Sequence, residues 1–232
     1  MDLDGSLIDM ELRLDAGDAA AVARAVAAGV HVVACTGRPF PGARLWVDRL
    51  GLRDPFVCYQ GAEVRTLEGD RLLDDGVPHA LAMEVVRWCR EQDLHVQGYR
   101  DDRLLVERDR TAARAYARHA QIDINVVGDL EVALGPTTPK LVVVADAEVI
   151  ERLLPAAHER WRDMLTVTTS LPTFLELTSA GADKRRALDF ICTRLEVPAS
   201  QVVAIGDGSQ RSPDAGVGGI GRGGRERRAG SA

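Results

Sequence analysis

No run of apolar residues in this 232-residue chain approaches the roughly 20 needed to cross a bilayer. The opening residues are acidic and lack the apolar stretch of a secretory leader. Positive charge is not in excess either: 29 Lys and Arg stand against 35 Asp and Glu, a formal net charge of −6. A surface of that balance is not built to seek nucleic acid or anionic membrane. Cysteine is sparse, and the four residues Cys35, Cys58, Cys89 and Cys192 show no CxxC or metal-ligand spacing. They read as reduced thiols, which makes the cytoplasm the expected setting. Aromatics amount to only 4%. Trp46, Trp88 and Trp161 fall on apolar helical faces and read as packing rather than stacking platforms. The histidines share no ligand spacing. What the chain does have is a 46% hydrophobic fraction, enough for one large or two modest cores.

Strand and helix alternate along that apolar mass. Gly17 to Ala28 is Ala-rich and helical, and Val30 to Cys35 is a short, fully apolar run suited to a parallel strand covered on both faces. A helix from about Pro41 to Leu50 and a buried strand from Phe56 to Tyr59 follow. Such units predict a doubly wound α/β sheet of Rossmann type. From about Val77 the texture changes. Helices are predicted over Ala80–Gln92, Thr111–Ala120 and Glu148–Arg160. Strands are predicted over Leu94–Gln97, Asp123–Val127, Leu141–Ala145, Leu165–Thr169 and Phe174–Leu177. The expected organisation is a discontinuous first domain, residues 1–76 and 178–208, with a smaller α/β domain inserted at 77–177. A helix over Gly181–Leu195 and a strand over Gln201–Ile205 complete the first domain. Residues 209–232 are rich in Gly and Arg, without periodicity, and read as a disordered tail.

Four short segments carry candidate chemistry. In Asp2-Leu3-Asp4-Gly5-Ser6 two carboxylates two residues apart leave a strand on one face, and a glycine lets the chain turn. Such a pair can divide nucleophilic attack and proton transfer between its members. In Cys35 to Pro39, CTGRP, a strand end with Thr36 and Gly37 can cradle phosphate through hydroxyl and backbone N–H groups. Lys184, near a helix start, can neutralise a phosphoryl oxygen and an attacking carboxylate together. Asp207 ends the apolar strand in VVAIGDG, the carboxyl end where open α/β sheets place their sites. Each alone has an ordinary reading: an acidic turn, a common strand–helix junction, a solvated lysine. Arg38 reads equally as a substrate or inter-domain contact and as a solvated arginine.

Taken together and in this order, the four segments resemble the motifs of the haloacid dehalogenase superfamily, in its Cof-like branch. Tyr59 to Val64, YQGAEV, resembles that branch's NGA segment with Gln60 in place of Asn, and Thr138 to Val144, TPKLVVV, resembles its mid-cap strand. The resemblance covers residues 1 to about 208. It implies a Mg²⁺-dependent phosphatase acting on a small phosphorylated metabolite such as a sugar phosphate. Asp2 would be the nucleophile, Asp4 the general acid/base, and Thr36, Gly37 and Lys184 the phosphoryl binders. Asp2, Asp4 and Asp207 would hold the metal, and the inserted domain would be the cap. Dehalogenase chemistry is disfavoured because Asp4 supplies the proton that a phosphoester leaving group needs; phosphoryl transfer to a second hydroxyl stays open.

Two departures accompany the resemblance. Only Met1 precedes Asp2 where the family has a buried strand, which reads as a misplaced or truncated start. Gln210 and Arg211 stand where the fourth motif has Asn and Asp, and Asp214 lies three residues too late. Codons can be chosen for Ser209 to Ile220 that, read one base later, spell Ala-Asn-Asp-Leu-Pro-Met-Leu-Glu-Ser-Ala-Gly, the expected continuation. The tail therefore reads as an out-of-frame translation. These departures support an alternative: a catalytically impaired relative that binds phosphorylated metabolites, or a non-functional truncated product. RNA binding by the Gly/Arg tail is a third, weaker reading, because the tail is short and lacks aromatics.

Overall fold

The computed structural model describes residues 1–206; the Asp207 assignment and the tail reading lie outside the described residues. Four extended segments lie side by side in the order 202–205, 1–3, 33–36, 56–58. Asp2 N–H donates to Ile205 O (2.9 Å), Cys35 N–H to Met1 O (2.8 Å) and Val57 N–H to Ala34 O (2.9 Å). The Met1 amine donates to Val33 O at 2.7 Å, and burial lowers its pKa. Cys35 and Val57 pair in parallel. Helix α1 (Ala16–Ala27) begins on Asp15, whose carboxylate accepts the Gly17 and Asp18 N–H groups, a cap that satisfies otherwise orphaned donors. Helix α2 (Phe40–Arg49) makes the crossover to strand β1 (Phe56–Cys58), the strand–helix–strand unit predicted for a Rossmann-like sheet.

Strand β1 continues into an antiparallel hairpin of β2 (Glu63–Arg65) and β3 (Arg71–Asp74). The sequence reading missed this hairpin. Glu63 and Arg65 are both buried, so no apolar alternation marks the strand; their side chains pair with each other at 2.6 Å instead.

A second sheet is built wholly from residues 95–179. Its six strands are β5 (His95–Arg100), β6 (Arg103–Val106), β7 (Ile124–Val126), β9 (Leu141–Val144), β10 (Leu165–Leu171) and β11 (Phe174–Ser179), in the order β10-β11-β9-β5-β6-β7. Only β6 and β7 pair in parallel. The short pair β4 (Val77–Pro78) and β8 (Thr137–Thr138) stands beside it. Helices α3 (His79–Glu91) and α6 (Ala147–Trp161) cover one face; α4 (Thr111–Ala120) lies on the other, and the short α5 (Leu130–Ala133) joins the α3 side. All four residues of β9 are buried. Leu141 and Val143 pack with the α3–α6 cluster, while Val142 and Val144 join the cluster that includes Trp46 and Phe56. Period-two alternation thus makes one strand serve two cores. Helix α7 (Lys184–Arg194) starts later than the predicted Gly181, because Asp183 caps it by accepting the Arg186 N–H at 2.9 Å. Among the described residues, no helix is long and apolar enough to cross a membrane.

Candidate active site

Residues from distant parts of the chain meet in one cavity of about 130 Å³. Asp2 leaves the segment held between Ile205 and Cys35, so its carboxylate is placed by backbone pairing on both sides. Its Oδ1 accepts the Leu3 N–H at 2.8 Å, and its Oδ2 accepts from Lys184 Nζ at 2.9 Å. The aspartate and lysine are 182 positions apart, joined only because the first turn of α7 packs against the loop after β1. Gly61 permits this approach: it has φ +98°, and a Cβ there would stand 2.4 Å from the Asp183 carbonyl carbon. Tyr59 and Gln60 precede it, also with positive φ, 51° and 61°. Two successive non-glycine residues with left-handed φ beside a cavity mark backbone held in a costly conformation by its surroundings. The Tyr59 and Gln60 N–H groups donate to Arg38 O and Thr36 O, which binds this loop to the segment after Cys35.

Asp4 is gripped by Arg38. The guanidinium Nε lies 2.9 Å from Oδ2 and Nη2 lies 2.7 Å from Oδ1, a bidentate fork. Arg38 is only 4% exposed and lines the cavity, so it is not the solvated arginine weighed from sequence. Its Nη1 donates to Gln121 Oε1 (3.1 Å), which also accepts from Trp46 Nε1 (2.8 Å). Gln121 ends α4 in the left-handed conformation. Thr36 is fully buried behind the cavity wall, its Oγ1 accepting the Arg38 N–H at 3.1 Å. Gly37 lines the cavity, and a Cβ there would fall 2.4 Å from Gln60 Nε2. Asp2, Asp4, Gly37 and Lys184 are therefore brought together, and Thr36 stands one layer back.

The second sheet contributes residues that sequence reasoning missed. Lys140 and Glu176 form an ion pair at 3.0 Å, with side chains 1% and 4% exposed. Lys140 Nζ also donates to Gly37 O at 2.9 Å, and Glu176 accepts from Gln60 Nε2 (2.9 Å) and Ser170 Oγ (2.8 Å). Desolvation pulls the Lys140 pKa down, but the attraction of Glu176 outweighs it and the net shift is upward. For Glu176 desolvation acts upward and Lys140 outweighs it, leaving the carboxyl below its usual value. A signal for this pair existed: Glu176 interrupts the apolar strand FLELTS, and a charge in a buried strand needs a partner. Which partner it finds is a tertiary matter. Tyr116, His119, Leu171 and Phe174 complete the wall, with Phe174 edge-on to Tyr116 at 5.0 Å. Burial lowers the His119 pKa, against an upward pull from Asp4. Burial also pushes the Cys35 thiol beside the site up to about 11, so it stays protonated at neutral pH.

The carboxylates of Asp2 and Asp4 offer the hard oxygen donors that a divalent cation such as Mg²⁺ takes. Among the described residues, no group of three His, Cys, Asp or Glu converges to hold a metal. The described chain ends at Gly206, where an added Cβ would stand 3.7 Å from the Asp2 Cβ. The donors present fit such a cation in kind, as two members of a larger set.

A Rossmann-like sheet with paired aspartates and a helix-start lysine at its edge defines a class of α/β hydrolase. The model of the haloacid dehalogenase-like hydrolases matches residues 1–210, and the chain belongs to that family. A Streptococcus pyogenes protein named "Putative phosphatase" is 23% identical over 217 residues, 89% of this chain and 79% of that one. A haloacid dehalogenase-like hydrolase from Bacteroides thetaiotaomicron superposes with a TM-score of 0.81 at 22% identity, over 89% of this chain and 79% of its own. A Thermotoga maritima protein gives 0.75 at 27% identity, over 87% and 76%. The chain is an enzyme of this family and stands among its phosphatases, in the Cof-like branch that its motifs resemble.

Proposed function

We propose that the chain hydrolyses a phosphoric monoester of a small metabolite, such as a sugar phosphate, through an aspartyl-phosphate on Asp2. The observation that carries this reading is the 2.9 Å contact between Lys184 Nζ and Asp2 Oδ2 at the cavity floor. An ammonium so placed can hold a phosphoryl oxygen against the attacking carboxylate and offset the charge that builds between them. Asp2 attacks phosphorus while Asp4 delivers a proton to the departing ester oxygen. Water then attacks the aspartyl-phosphate, and Asp4 takes the proton back. Arg38 fixes the Asp4 carboxylate by its fork, and Gly37 borders the cavity with the Gln60 amide packed against it. Asp2 and Asp4, with Asp207 outside the described residues, would hold Mg²⁺, which offsets charge on the phosphate and nucleophile. In this reading residues 77–177 act as a cap: Gln121, Lys140 and Glu176 reach across to residues 37–60 and exclude water from the cavity. Three buried free cysteines support a reducing, cytoplasmic setting.

Phosphate release from an aryl phosphate in Mg²⁺ tests the proposal. Asp2→Asn is expected to lower kcat by about 10³-fold or more while preserving the fold by circular dichroism. The second reading, a non-catalytic binder, is favoured by Arg211 at the expected second metal carboxylate. Binding of phosphoesters with no turnover across a panel of sugar and nucleotide phosphates would select it.

A further inference from the structure

Among the described residues, the charges lining the cavity fall into pairs. Among the described residues the lining holds three cations and three carboxylates, and each cation sits on one carboxylate. Lys184 holds Asp2 at 2.9 Å, Arg38 holds Asp4 at 2.7 Å, and Lys140 holds Glu176 at 3.0 Å. The first two pairs lie where phosphate chemistry is proposed, and a phosphate dianion entering with a divalent cation leaves that balance unchanged. The third pair lies on the second sheet. It is locked by three further hydrogen bonds, from Lys140 to Gly37 O and from Gln60 and Ser170 to Glu176. It therefore presents no net charge to the remainder of a substrate. The wall beside it is apolar or aromatic: Tyr116, His119, Leu171 and Phe174, with the His119 ring tilted against Phe174 at 5.7 Å.

We propose that the cavity selects monophosphate esters whose leaving group is an uncharged ring, and rejects esters carrying a second anionic group. This rests on the phosphatase reading above and narrows its substrate class. A second phosphate or a carboxylate on the leaving group would enter a half-enclosed site whose cations each already hold a carboxylate, losing hydration without gaining a partner. A sugar ring, through its C–H face, and an aryl ring, through its edge or face, both suit the Phe174 wall. Glu176 thus acts as a specificity residue by neutralising Lys140.

Two matched ligand pairs test this: phenyl phosphate against 4-carboxyphenyl phosphate, and glucose 6-phosphate against glucose 1,6-bisphosphate. Dissociation constants are measured by calorimetry on the full chain with Mg²⁺, and released phosphate is assayed in the same samples. The second anionic group is expected to weaken binding at least tenfold in both pairs. Glu176→Gln, which leaves Lys140 charged and unmatched, is expected to shrink that difference to under threefold. Equal affinities within the pairs overturn the proposal, and the wild-type comparison does so whether or not the variant folds. A folded Glu176→Gln that keeps the full discrimination overturns the role given to Glu176. Discrimination without phosphate release refutes the catalytic reading and leaves the selectivity standing. No binding of any of the four ligands sinks both. Discrimination between phenyl phosphate and glucose 6-phosphate identifies the ring: tighter phenyl phosphate binding points to aryl esters, the reverse to sugars.

Discussion

Removing one member of the Lys140–Glu176 pair should destabilise the protein far more than removing both. At 3.0 Å and an effective dielectric of 20, the attraction between the two charges is about 5.5 kcal/mol. Both side chains are buried, so a single substitution leaves the other charge desolvated and uncompensated, a change that costs about 3–5 kcal/mol. Glu176→Gln also turns one of the two carboxylate acceptors into an amide donor, so either Gln60 or Lys140 loses the acceptor it has in the wild type. Lys140→Met removes the donor that satisfies Gly37 O. Each single variant should therefore lose about 3–5 kcal/mol, roughly 6–20 °C in Tm for a chain of this size. The double variant should recover at least about 2 kcal/mol of the summed loss. Urea unfolding followed by fluorescence of Trp46, Trp88 and Trp161 measures all three. Acid supplies an independent check. The Glu176 pKa is lowered in the fold, so its contribution is present above about 4.5 and is lost as pH falls through the folded value. Wild type should therefore converge on Glu176→Gln at low pH. Single variants that lose less than about 1 kcal/mol, or a double variant whose loss is the plain sum, would refute the reasoning.

Two further outcomes follow from geometry and titration. Gly61→Ala should cost about 2–4 kcal/mol, because φ +98° is strained for alanine and the new Cβ would meet the backbone of Asp183 and Lys184 at 2.4–2.6 Å; an unchanged urea midpoint would refute it. His95 and His119 both have pKa values lowered by burial, so the unfolded chain binds more protons near the ordinary value of 6.5. The contribution of these two histidines should be flat above that pH and fall as pH drops below it. A thermal-melt series from pH 8 to 5 checks this, with His95→Gln and His119→Gln each expected to flatten the slope.

Local pattern sufficed for much of the architecture. The apolar runs around Cys35, Phe56 and Leu141, and the helical stretch Thr111–Ala120, are visible because periodicity and capping are short-range properties. So is the order of the motif residues Asp2, Thr36 and Lys184, whose side chains leave strand ends and a helix start. The hairpin of β2 and β3 is invisible for the opposite reason: its buried residues include Glu63 and Arg65, stabilised by pairing rather than by apolar character. Arg38, Gln60, Gln121, Lys140 and Glu176 belong to the same class. Any of these polar side chains could be solvated as far as its neighbours in sequence indicate. Burial turns them into site residues, because a desolvated charge or amide must find a partner, and apart from Ser170 those partners lie 34 to 116 positions away. The amino-acid sequence by itself determined the α/β class and which residue types could perform the chemistry. The packing of the second sheet against residues 36–61 alone decided which charges face one another.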